Sequence, residues 1–117
     1  MATDRSRALS VTGPGRCELR EAALGPLAPG KVRVRTRLSG ISRGTERLVL
    51  AGEVPEGERA RMRAPFQSGD FPFPVKYGYC ATGAVVAGDG HAPGTRVFAL
   101  HPHQDVFDVP AGAAIPI

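Results

Sequence analysis

The stretch KVRVRTRL, Lys31 to Leu38, decides the fold class. Lys31, Arg33, Arg35 and Arg37 alternate with Val32, Val34, Thr36 and Leu38, and a strict period of two describes a strand with one face buried and one face wet. Upstream, Arg7 to Val11 is a short apolar segment ended by the turn Gly13-Pro14-Gly15, and Cys17 to Arg20 reads as its hairpin partner. A connector, Leu24 to Gly30, carries two prolines that donate nothing to a ladder. Downstream, Ala81 to Ala87, Thr95 to Leu100 and Val106 to Val109 read as further strands, with Gly88-Asp89-Gly90 as a turn.

The helical signal is confined to Arg43 to Ala51, where Ser42 or Thr45 can cap the first turn and Gly52 can end the last. Glu53 to Arg63 is a highly charged excursion with room for one more helical turn. Phe71-Pro72-Phe73-Pro74 is irregular, because alternate prolines enforce extended backbone, and its phenylalanines with Phe66 either line a pocket or pin a long loop to the sheet. About six strands with one or two short helices predict a mainly β fold, a partly open β-barrel.

The 117 residues suit a single domain, 1–117. No run approaches the roughly 20 apolar residues needed to span a bilayer, and the start lacks a signal-peptide core, so a cytoplasmic protein without a membrane partner is expected. Cys17 and Cys80 lie far apart and read as buried, reduced thiols. The net charge of +4 admits a polyanionic partner without demanding one. Arg33, Arg35 and Arg37, and likewise Arg59, Arg61 and Arg63, lack interleaved aromatics and read as solvated faces rather than a nucleic-acid track.

Three stretches, in order, carry a family resemblance: SGISRGTE (Ser39 to Glu46), PVKYGYCATGAVV (Pro74 to Val86) and GTRVF (Gly94 to Phe98). Together they resemble the N-terminal, GroES-like catalytic half of the medium-chain dehydrogenase/reductase (alcohol dehydrogenase-like) superfamily. That resemblance implies an NAD- or NADP-dependent oxidoreductase acting on a small-molecule carbonyl or alcohol. The nucleotide would sit on a C-terminal Rossmann domain that this chain does not contain, since no G-x-G-x-x-G opens a helix here. Where zinc-containing members place a cysteine and a histidine on the catalytic metal, this sequence has Ser42 and Tyr79, and Cys80 replaces the family's glutamate. A neutral hydroxyl and a phenol are poor zinc ligands, so a zinc-independent branch is expected.

The resemblance puts a reacting carbonyl near Ser42, Thr45 and Tyr79, with helix capping an equally weighted role for Ser42 and Thr45. Thr45 sits three places after Ser42, one more than the family spacing. Tyr79 can donate a proton to a developing alkoxide, and Lys76 nearby would favour its ionised form, although Lys76 in solvent is the preferred reading. Glu46, with Arg47, reads as an ordinary exposed pair on the pocket side of the helix. His101 and His103, two apart, are expected on one face of a strand that Asp105 continues, and a structural or substrate-facing role is favoured over metal. A stand-alone β-barrel interaction or assembly module, with a homo-oligomer compatible, is the alternative reading.

Overall fold

A computed structural model describes residues 5–117. Among the described residues, nine strands form two sheets. The first, ordered β2-β1-β5-β4, holds β1 (Arg5–Gly13), β2 (Arg16–Ala23), β4 (Ser68–Gly69) and β5 (Val75–Lys76). The second, ordered β8-β3-β6-β7-β9, holds β3 (Lys31–Ser39), β6 (Ala81–Gly88), β7 (Arg96–Ala99), β8 (Val106–Pro110) and β9 (Ile115–Pro116). Every recorded pairing is antiparallel and the sheets do not join into a closed barrel. The helices are α1 (Arg43–Ala51) and α2 (Arg59–Met62), the latter entered through a 3-10 turn at Glu56–Glu58. The charged excursion is thus a helical turn, held partly by the Arg61–Glu58 pair.

The β1–β2 hairpin turns where expected, at Pro14-Gly15. Both strands run longer than their apolar signal, because β2 is exposed along its whole length and is held by the ladder to β1, not by burial. The short strands β4, β5 and β9 carry no alternation for a sequence to reveal.

Strand β3 departs from its two-faced pattern. Val32 and Val34 are buried as expected, but so is Arg33, while Leu38 is 71% exposed. The pairing with β6 shifts between Arg33 and Val34 and again between Thr36 and Leu38, so alternation cannot hold one face inward. Arg33 is tolerated inside because its guanidinium donates to both carboxylate oxygens of Asp108 on β8, at 2.7 and 2.9 Å, and to the carbonyl of Gly25. The arginine stripe is therefore not a uniform charged face.

Two cores result. Val32, Val34, Ala81, Val85, Val97, Phe107 and Val109 fill the larger sheet. Val11, Val49, Val54, Phe71, Val75 and Tyr77 join α1 to the smaller one. Phe71 lies in this second core, with Phe73 packed on it and against Gly52, so these rings pin the loop down. The peptide bonds preceding Pro72 and Pro74 are cis.

Candidate functional site

The end of β3 and the start of α1 make the site. Ser39 closes the strand, and Gly40 donates its N–H to the Cys80 carbonyl at 2.8 Å, tying this junction to the start of β6. Ser42 is the N-cap of α1 and its Oγ accepts from Thr45 N–H at 3.3 Å. Glu46 reaches back, and its Oε2 accepts from Ser42 N–H at 2.6 Å, a reciprocal cap that satisfies two of the helix's free donors. Gly52, left-handed at φ 72°, closes the helix as expected.

A second piece comes from the segment after β7. His103 O accepts from Leu9 N–H on β1 at 3.0 Å, and Asp105 O accepts from Thr36 N–H on β3 at 2.8 Å. Residues 103–105 thus stitch the two sheets together and carry His103 up to α1. There His103 Nε2 meets Glu46 Oε1 in a short hydrogen bond, and Nδ1 lies 2.7 Å from Ser39 Oγ. Both side chains of the His103–Glu46 pair are close to nine-tenths buried. Glu46 is therefore not the exposed partner of Arg47; the imidazole draws it inward. Neither Ser39 nor this pairing is marked in the sequence, because the partners stand 64 and 57 residues apart.

Thr45 and Tyr79 also meet, the phenol donating to Thr45 Oγ1 at 3.3 Å. Tyr79 packs edge-on against Tyr77 beside the second core. Lys76 does not stand in solvent: its Nζ is half-buried and donates to Gln104 Oε1 at 3.0 Å, and burial lowers its pKa. It faces a separate cavity of about 230 Å³ with Ser6 and Ser10.

The two histidines part company. Residues 100–103 are not a strand, so no shared face exists. His101 is buried, stacked 4.0 Å from the Phe107 ring with Phe66 on its other side, and desolvation pushes its pKa down to about 4. Asp105 turns to Arg7 N–H and Ser6 Oγ. Among the described residues, no three His, Cys, Asp or Glu side chains converge as metal ligands. Ser42 and Tyr79, at the family's zinc positions, make their hydrogen bonds with Thr45, and a hydroxyl with a phenol is a donor set that does not suit tetrahedral zinc. Both cysteines are free, and Cys17, expected to be buried, is exposed on β2.

Two clefts open on His103. One, of about 410 Å³, has Val11, Cys17, Val49 and Leu50 around Ser42 and Glu46. The other, of about 450 Å³, sets Leu19, Leu38 and Ile41 beside Ser39 and Arg37. Leu9 and Ile41 border both. No helix among the described residues is long and apolar enough to cross a membrane.

No protein-family model matches the chain. It is 36% identical over 97 residues to 2-desacetyl-2-hydroxyethyl bacteriochlorophyllide A dehydrogenase of Cereibacter sphaeroides, a match covering 80% of this chain and 27% of that protein. Among solved structures, it is similar to the human synaptic vesicle membrane protein VAT-1 homolog-like protein, with TM-score 0.68, 21% identity, and coverage of 97% of this chain and 36% of that one. It also resembles the quinone oxidoreductase of Thermus thermophilus, solved alone and with NADPH, with TM-score 0.61, 21% identity, and coverage of 95% and 32%. The chain thus spans between a quarter and two-fifths of the length of these proteins.

Proposed function

We propose, from the premise that this chain belongs to the medium-chain dehydrogenase/reductase superfamily, that it is the substrate-side, GroES-like domain of a zinc-independent oxidoreductase interconverting an alcohol and a carbonyl. The observation that carries the reading is the Tyr79–Thr45 hydroxyl couple beside Ser42, at the junction where β3 gives way to α1. The dehydrogenase relation supports it.

NAD or NADP, bound on a part of the whole protein outside this chain, would supply or accept the hydride. This chain's own residues then have a proton to manage. Tyr79 would give its phenolic proton to the substrate oxygen in the reductive direction, and Thr45 Oγ1, 3.3 Å away, would pass back a proton drawn from water. Ser42, whose Oγ already accepts from Thr45 N–H, keeps its own hydroxyl proton to orient the same oxygen. The apolar walls around Ser42 and Glu46 suit a substrate with a hydrophobic body.

Nicotinamide nucleotides titrated into the chain and into the longest polypeptide of its reading frame test the domain reading, with zinc measured in both. Binding and alcohol turnover in the longer form alone, without zinc, is the expected result. Stoichiometric zinc would refute the metal-free chemistry. Absence of nucleotide binding in both forms would favour an interaction module instead.

A further inference from the structure

We propose that Ser39, His103 and Glu46 form a nucleophile, base and positioning carboxylate, able to cleave esters of apolar acids through an acyl-Ser39 intermediate. This goes beyond the oxidoreductase reading and does not rest on it. Ser39 is exposed at the end of β3, so its hydroxyl is open to a ligand. Its Oγ lies 2.7 Å from His103 Nδ1, and the opposite ring nitrogen faces Glu46 Oε1. With Glu46 ionised, Nε2 carries the ring proton toward the carboxylate. The Nδ1 lone pair is then left to accept from the Ser39 hydroxyl. Glu46 is itself fixed by Ser42 N–H on its second oxygen, so ring and carboxylate are both held in place.

The backbone makes room for this line. Gly78, at φ +135°, sits where a β-carbon would lie 2.8 Å from His103 Nε2. The cleft beside Ser39 has a wall of Leu19, Leu38 and Ile41, which are 66%, 71% and 75% exposed and suit an apolar acyl chain. Arg37, at the pairing shift between Thr36 and Leu38, lines the same cleft as Ser39. Its cation would receive the negative charge that grows on the acyl oxygen.

The chemistry balances without any co-reactant but water. Ser39 Oγ bonds to the acyl carbon as its proton passes to His103 Nδ1. The carbon–oxygen bond to the leaving alcohol then breaks, and that oxygen takes the proton from Nδ1. Water repeats the sequence in reverse, giving its proton to Nδ1 and its oxygen to the acyl carbon. The free acid leaves and Ser39 regains its hydrogen.

The full chain is treated with p-nitrophenyl butyrate and, separately, with an alkyl fluorophosphonate whose adduct is mapped by mass. We expect a burst of one nitrophenolate per chain and a single adduct on Ser39. Ser39→Ala should abolish the adduct, and Ser39→Ala or His103→Gln should each slow hydrolysis about 100-fold or more. Circular dichroism confirms that each variant is folded. Hydrolysis that survives Ser39→Ala would mean imidazole acting alone and would overturn the proposal. So would no adduct on the folded wild-type chain, or an adduct spread over several serines.

Discussion

Gly78 and His103 approach so closely that any side chain on the glycine would displace the imidazole: an added β-carbon would stand 2.8 Å from Nε2, on a residue whose φ is +135°. Gly78→Ala therefore carries two penalties, a backbone conformation that L residues avoid and a collision with the ring holding Glu46. We expect a loss of about 1–3 kcal/mol in stability. In NMR spectra, the His103 ring signals should lose their coupling to Glu46. Denaturant unfolding reads the first effect, and an unchanged midpoint would show that the segment simply shifts aside.

Arg33 and Asp108 make the second prediction. Their side chains are 7% and 17% exposed, so this ion pair is inside the protein. Asp108→Ala takes both carboxylate oxygens away from a buried guanidinium and should destabilise by about 3–5 kcal/mol. Removing both charges together, as Arg33→Met with Asp108→Leu, should recover most of that loss. If the double variant is no better than the single one in urea unfolding, the pair is specifying the register of β3 against β8 rather than neutralising a charge.

The same arginine shows where the sequence is legible. KVRVRTRL reads as a strand because alternation is local, and α1 reads as a helix because Ser42 and Gly52 mark its ends. The buried place of Arg33 depends on Asp108, 75 residues away, and on pairing shifts with β6 that no local pattern carries. Strands β4, β5 and β9, two residues each, are too short to have a period. At the site, Ser42, Thr45 and Tyr79 stand out by resemblance and are brought together. His103 and Glu46 are visible only as separate candidates. Their contact is created by the segment 103–105 running between β1 and β3, which is a tertiary fact. The apparent i, i+2 kinship of His101 and His103 misleads for the same reason: without a strand there, neighbours point to different environments.

Tyr79→Phe deletes only the phenolic oxygen that meets Thr45. In the whole protein, the proposed function predicts a kcat lower by about 100-fold or more, with KM little changed. Thr45→Val should act on the same step, so the double variant should be scarcely worse than either alone. Steady-state kinetics of the three variants decide it. A purely additive pair, or a change confined to KM, would assign the couple to packing α1 against the core.

His101 is one source of acid sensitivity in the fold. Its ring is stacked between Phe107 and Phe66, and burial pushes its pKa down to about 4 from the ordinary 6.5, with Lys76 adding a smaller push in the same direction. The Pro102 carbonyl beside Nδ1 opposes the shift without cancelling it. In the unfolded chain the same imidazole takes a proton near its ordinary pKa. Between the two values, therefore, the unfolded state binds more protons than the native one, and stability falls as the pH falls. Above about pH 6.5 this contribution is fully present; by about pH 5 some 2 kcal/mol should be gone, rising to about 3 kcal/mol near pH 4. His101→Phe keeps an aromatic ring between the two phenylalanines and has nothing to titrate. Its unfolding free energy, measured in urea at pH 7 and pH 5 beside the wild type, should change less by about those 2 kcal/mol. Groups common to the two proteins cancel in the difference. Parallel pH profiles would mean that His101 is protonated in the native state, and that the aromatic stack holds an imidazolium as readily as a neutral ring.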